Sequence, residues 1–178
     1  FGNGFLLPRG PLREPPASLK RADLVIWKDS AIVGRFPNDQ EQSIGSFLPA
    51  FSAYLKPKEL RRGNMKSTLP LEYIRGKRIC AISGIGSPES FKETIEALGG
   101  VVVGFLAFPD HYRYATSDIS EIRMTASRLD AEIITTEKDG IRLTEFLDFL
   151  NEIIVLKMEM EVLPSREAFL ASIMERLK

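Results

Sequence analysis

From Arg78 onward the chain repeats one pattern, and that pattern restricts the fold more than anything else in the sequence. RICAIS is a short apolar stretch, SGIGSP a glycine turn, and ESFKETIEALGG an amphipathic segment ending in two glycines. VVVGFLAF, which reads as a buried strand, comes next, then the loop FPDHYRY and a helix expected near Asp118 to Leu129. EIITT, the short helical region EKDGIRLTEFLDFL, the strand IIVLKMEMEV and the helix PSREAFLASIMERLK complete the series. In ESFKETIEALGG, Phe91, Ile95 and Leu98 fall on one helical face. Ser87 stands at the N-cap with Pro88 in the first turn, and Gly99-Gly100 supply the stop. Short β-branched strands alternating with helices predict an α/β fold, a mostly parallel sheet with flanking helices.

The first 76 residues are less regular. FGNGFLLPRGPLREPP is dense in glycine and proline and reads as ordered loop, with Ser18 placed to cap a short turn before LKRAD. LVIW and FSAYLKPKELRRG read as extended, and the polar residues 29–46 between them as a variable connection. Two domains are therefore expected, 1–76 and 77–178. The chain starts at Phe1 without a methionine, which reads as part of a longer protein.

Charge excludes some functions. Twenty-four basic residues balance twenty-four acidic ones, so no global field draws the chain to nucleic acid or anionic lipid. The stretch FLLPRGPLREPP does not read as a signal-peptide pattern, and no apolar run in the given sequence reaches membrane-spanning length. The one cysteine, Cys80, is expected as a small buried hydrophobe.

In open α/β sheets ligands collect at the carboxyl ends of the strands. Three polar loops fall there: SGIGSPES, PDHYRY and TTEKDG. Gly84 and Gly86 permit a tight turn, and the following helix can face an anion; a plain strand-to-helix turn needs the same glycines. The stretch is neither a dinucleotide fingerprint nor a P-loop, and the only Gly-Lys, Gly76-Lys77, is followed by Arg78. In FPDHYRY, Pro109 ends strand pairing, so Asp110 and the chain's only histidine, His111, leave the sheet. A carboxylate beside an imidazole can orient it for proton transfer; a surface histidine bonded to a backbone carbonyl explains the residues equally well. Thr135 or Thr136 can cap the next helix, with Glu137, Lys138 and Asp139 following and the acidic pair suited to its first turn. Arg13 and Glu14, on a proline-stiffened loop with Arg9, suit phosphate recognition or a surface ion pair.

Four of these stretches, in order, resemble one family. LLPRGPLREPPASLKRADLVI, SGIGSPESF, FPDHYRY and TTEKDGIRL are similar to LLPAGPLREP…LKRADAVI, AGIGNPERF, FPDHHxF and TTEKDAVRL of the tetraacyldisaccharide 4′-kinases, the lipid A 4′-kinases. The resemblance runs from Phe1 to about Ile154. It implies transfer of the ATP γ-phosphate to the 4′-hydroxyl of a tetraacylated disaccharide 1-phosphate, with Mg²⁺, at the cytoplasmic face of the bacterial inner membrane. It also implies a P-loop-type kinase fold, in which 1–76 is a remnant of the kinase core and the interdomain connection. Residues 77–178 would then be the smaller, Rossmann-like C-terminal portion.

By the same resemblance, His111 supports the aspartate that acts as base, Asp110 orients His111, and Arg13 and Glu14 contact a phosphate-bearing ligand or brace its loop. Gly84, Gly86, Thr136, Glu137, Lys138 and Asp139 are accessory candidates, and no metal ligand is assigned. The chain departs from the family at Arg9, Ser87 and Tyr112, and it holds no Walker A or DDGFQH segment. ATP and Mg²⁺ are therefore expected to bind mainly upstream, together with the membrane contact, and this chain alone is expected to be inactive. The alternative is a non-catalytic α/β module that binds a phosphorylated sugar-lipid or a partner protein.

Overall fold

A computed structural model describes residues 2–28, 48–63 and 67–177. The connection read at 29–46 lies outside the described residues. The chain divides into two compact units, Leu55–Glu159, and Phe1–Tyr54 with Met160–Lys178. Two strands, β2 (Ala50–Arg62) and β7 (Ile154–Leu163), contribute to both.

The larger unit carries the alternation. Its elements are β3 (Thr68–Leu69), β4 (Arg78–Ser83), α1 (Pro88–Ala97), β5 (Val101–Ala107), α2 (Thr116–Arg128), β6 (Glu132–Thr136), α3 (Glu137–Arg142) and α4 (Leu147–Glu152). The strand order is β2–β7–β6–β4–β5, with β3 antiparallel to β2. β4 pairs in parallel with both β5 and β6, and β6 in parallel with β7. The chain leaves β4 for β5 on one side and returns past it to β6 on the other. This reversal makes the carboxyl ends of β4 and β6 the switch point of the sheet, the place where such folds leave a crevice.

Alternation along β4 explains the uninterrupted apolar run of RICAIS. Ile79 and Ala81 face a core with Phe91 and Ile95 of α1, whereas Cys80 and Ile82 face one with Ile119, Ile122 and Ala126 of α2. Both faces of the strand are covered, so no position calls for a polar side chain. Burial of each isoleucine contributes about 1.5–3 kcal/mol. Cys80 is free and buried.

β5 corrects the reading of a buried strand. Among the described residues it pairs only with β4, and its end residue Val101 is 49% exposed. As an edge strand it is only half covered. Gly104 lets it sit close to its neighbours, since a Cβ there would lie 2.7 Å from Leu129 Cδ1 and 3.3 Å from Cys80 Sγ. Gly104→Ala must push the Leu129 side chain aside, at a cost of about 1–2 kcal/mol in urea unfolding.

In the smaller unit, the N-terminal loop closes on itself: Leu7 N–H donates to the Leu12 carbonyl and Leu12 N–H to that of Phe5. A Cβ on Gly10 would come within 2.2 Å of Asn3 Oδ1, so only glycine fits there. A 3₁₀ turn spans Pro16–Arg21 without a side-chain cap, so Ser18 lies inside it and does not cap it. β1 (Val25–Lys28) pairs in parallel with β2, and Phe169 of α5 (Arg166–Arg176) packs edge-on against Phe51, ring centroids 5.2 Å apart.

Candidate functional site

The loops after β4, β5 and β6 meet at the switch point, and the residue that joins them is Asp139. Its side chain is fully buried. Oδ2 accepts the Gly84 N–H at 3.0 Å and the Thr136 hydroxyl at 2.8 Å, and Oδ1 accepts Arg142 Nη1 at 3.0 Å. The same Arg142 nitrogen donates to the Gly84 carbonyl at 2.7 Å. Both peptide groups flanking the Gly84 α-carbon are thus held by one ion pair, whose carboxylate is fully buried and whose guanidinium is partly so. Thr136 caps α3 as expected, its Oγ1 accepting the Asp139 N–H. Thr135 Oγ1 instead donates to the Ile82 carbonyl.

Reading Asp139 as a helix first-turn acid captures its position but not its burial. Glu137 is half-buried and Lys138 exposed beside it. Arg142 was absent from the sequence candidates, although its spacing of three from Asp139 on a helix was a usable signal.

The β5 loop sorts its residues by side. Phe108, Tyr112 and Tyr114 form an aromatic cluster with ring centroids 5.0–5.5 Å apart. Asp110, His111 and Arg113 are left exposed. His111 has φ 62°, a left-handed conformation that histidine adopts more readily than most residues. Asp110 Oδ1 accepts the His111 backbone N–H at 2.9 Å and lies 3.1 Å from His111 Nδ1. The pair is therefore formed, and His111, with 83% of its side chain exposed, holds its ring at the rim and outside the core.

The β5 loop rests on the β4 turn. A Cβ on Gly84 would lie 3.0 Å from Asp139 Oδ1 and 3.4 Å from both the Pro109 carbonyl oxygen and the Tyr114 hydroxyl. One on Gly86 would lie 3.6 Å from Asp110 Oδ2. Ser87 occupies the N-cap of α1, but its side chain makes no capping bond. Instead its carbonyl accepts the Ser90 hydroxyl.

Tyr114 Oη and Ser83 Oγ are buried with no hydrogen-bond partner among the described residues. Burial, then the Asp139 carboxylate, push the Tyr114 phenol well above its ordinary value near 10. A raised folded value means that the unfolded chain gives up this proton first. The contribution to stability is complete below pH 10 and lost as pH rises beyond it, by about 1.4 kcal/mol per pH unit. Urea unfolding between pH 9 and 11 should accordingly fall less steeply in Tyr114→Phe than in the wild type.

Arg13 and Glu14 belong to the smaller unit. Both are exposed, and Glu14 forms an ion pair with Arg21. Lys77 is engaged by Glu132 and sits 3.4 Å from the centroid of the Tyr73 ring, so this Gly-Lys lysine is committed elsewhere than to a phosphate. No group of three or more His, Cys, Asp or Glu side chains that could hold a metal occurs among the described residues. Both oxygens of Asp139 are engaged by donors of the chain. No helix among them is long and apolar enough to cross a membrane.

A family model described as tetraacyldisaccharide-1-P 4′-kinase matches residues 1–178. The tetraacyldisaccharide 4′-kinase of Syntrophus aciditrophicus (strain SB) is 41% identical over 100% of this chain and 50% of its own length. That of Anaeromyxobacter dehalogenans (strain 2CP-C) is 39% identical over 80% of this chain and 39% of its own. The crystal structure of "apo" form LpxK from Aquifex aeolicus in complex with ATP shares the fold, with TM-score 0.59 and 24% identity over 96% of this chain and 47% of that one. The chain spans half or less of the length of these relatives. With the match extending from the first residue to the last, the chain belongs to the tetraacyldisaccharide-1-P 4′-kinase family.

Proposed function

We propose that the chain is the C-terminal portion of a kinase that moves the γ-phosphate of ATP to the 4′-hydroxyl of a tetraacylated disaccharide 1-phosphate, in lipid A biosynthesis. The observation that carries this reading is the family match over residues 1–178, together with the three motif loops at the sheet's switch point. In it, the functional division falls between Gly76 and Lys77, where the regular alternation starts.

His111 serves proton management. Asp110 Oδ1 lies 3.1 Å from His111 Nδ1, so in this reading the carboxylate draws the ring proton to Nδ1 and leaves the lone pair on Nε2. From there it can accept a hydrogen bond or a proton from the acid formed when a base upstream deprotonates the sugar hydroxyl. Arg13 holds a phosphate-bearing group, and Glu14, through Arg21, braces the loop that presents it. The accessory residues Gly84, Gly86, Thr136, Glu137, Lys138 and Asp139 shape the rim on which His111 stands.

ATP and Mg²⁺ supply the phosphoryl group and the charge that neutralises it. In this reading both are held mainly by the half of the relatives' length that this chain does not cover, since the chain offers no phosphate-binding glycine loop followed by lysine and a hydroxyl residue. The lipid acceptor places the whole protein at the cytoplasmic surface of the inner membrane. The test is transfer of labelled phosphate from ATP to the disaccharide. Full-length protein should give product, and the 178-residue chain none. Product from the chain alone would overturn the division of labour, and none from the full-length protein would overturn the kinase reading.

A further inference from the structure

We infer that Asp139 and Arg142 are positioning residues for His111, acting through the Gly84–Gly86 turn. The inference rests on the reading of His111 as a working group and extends it to residues that touch no substrate. Three observations carry it.

The first is that one ion pair controls both peptide groups at Gly84. Asp139 takes the N–H, and Arg142 takes the carbonyl while also bonding Asp139. A turn with glycines at positions 84 and 86 has wide conformational freedom, and this clasp removes it. The second is that the turn is the floor of the histidine loop. The Pro109 carbonyl and the Tyr114 hydroxyl lie 3.4 Å from the Cβ position of Gly84, and Asp110 Oδ2 lies 3.6 Å from that of Gly86. Upstream, the Phe108 N–H is held by the Ser83 carbonyl at 2.8 Å. The third is that His111 has little else to hold it. It is exposed, its backbone is left-handed, and its ring contact is with the carboxylate of the preceding residue. The direction of Asp110 therefore sets the direction of the imidazole, and Asp110 is placed by the His111 N–H that it accepts and by the turn against which its other oxygen rests.

A purely structural role for the ion pair would cost stability and leave the ring alone. The positioning role makes the imidazole tautomer depend on it. His111 is the chain's only histidine, so its ring nitrogens give a single, unambiguous NMR signature. The experiment records ¹⁵N shifts of the ring at about pH 9. It compares the 178-residue wild type with Asp139→Asn and Arg142→Lys. Lysine keeps the charge but lacks the planar fork that serves Gly84 and Asp139 together.

In the wild type, the Nδ1–H form should predominate, because Asp110 Oδ1 stands 3.1 Å from Nδ1, within reach of a proton there. In both variants, the ratio of Nδ1–H to Nε2–H should fall about threefold or more. The same substitutions in the full-length kinase should lower kcat and leave KM for ATP unchanged. A folded variant with the wild-type tautomer ratio would overturn the inference. If Asp139→Asn does not fold, Arg142→Lys decides alone. A shifted ratio with unchanged kcat would uphold the coupling and remove His111 from the reaction, so failure of the kinase reading is told apart from failure of this one.

Discussion

Asp139→Ala should lower the unfolding free energy by about 3 kcal/mol and the melting temperature by about 6–12 °C. The size follows from what is left behind. Alanine removes the acceptor of three donors, the Gly84 N–H, the Thr136 hydroxyl and the Arg142 guanidinium, in a place that water does not reach. Breaking a buried pair by deleting one partner costs about 3–5 kcal/mol. Arg142 retains 21% of its side chain in solvent and keeps its bond to the Gly84 carbonyl, which puts the expected value at the lower end. Against a typical total of about 5–15 kcal/mol, that is a large fraction. Lys138→Ala, one residue away and exposed, should change the melting temperature by little. Equal melting temperatures for Asp139→Ala and the wild type would mean that the clasp contributes nothing to folding.

The contrast between these two neighbours marks what the sequence could say. Local signals were legible where local physics decides. RICAIS identifies itself as a strand covered on both faces because all five positions after Arg78 avoid charge. Pro88 and the Gly99-Gly100 pair bracket α1, which ends at Ala97, and Thr136 caps α3. What could not be read depends on partners distant along the chain. Asp139 fits a helix's first turn as well as Glu137 does, and only its bond to Gly84, fifty-five residues earlier, separates a buried clasp from a surface acid. β5 has the composition of a central strand, yet whether a second neighbour pairs with it is a property of strand order. Ser87 shows the limit at short range as well: it stands at the expected cap position, but the bond there is made by Ser90 to its carbonyl.

The second large effect separates chemistry from folding. His111→Ala in the full-length protein should reduce kcat about 10²-fold or more, the usual contribution of a positioned acid–base group. Its melting temperature should stay close to that of the wild type. The reason for the second half is geometric: the imidazole is 83% exposed and packs into no core, so its removal leaves no cavity. Alanine tolerates the left-handed φ of 62° somewhat less readily than histidine, a small strain confined to the exposed loop. Asp110→Asn is the informative companion. An amide in place of the carboxylate keeps an oxygen for the His111 N–H but no longer attracts a proton to Nδ1, so it should lose part of the activity while His111→Ala loses nearly all. If the two variants fall by the same factor, Asp110 and His111 act as one unit. If Asp110→Asn is fully active, the imidazole is oriented by something other than its neighbour. If His111→Ala is fully active, proton management lies elsewhere, and the left-handed turn that carries the histidine serves only to close the β5 loop.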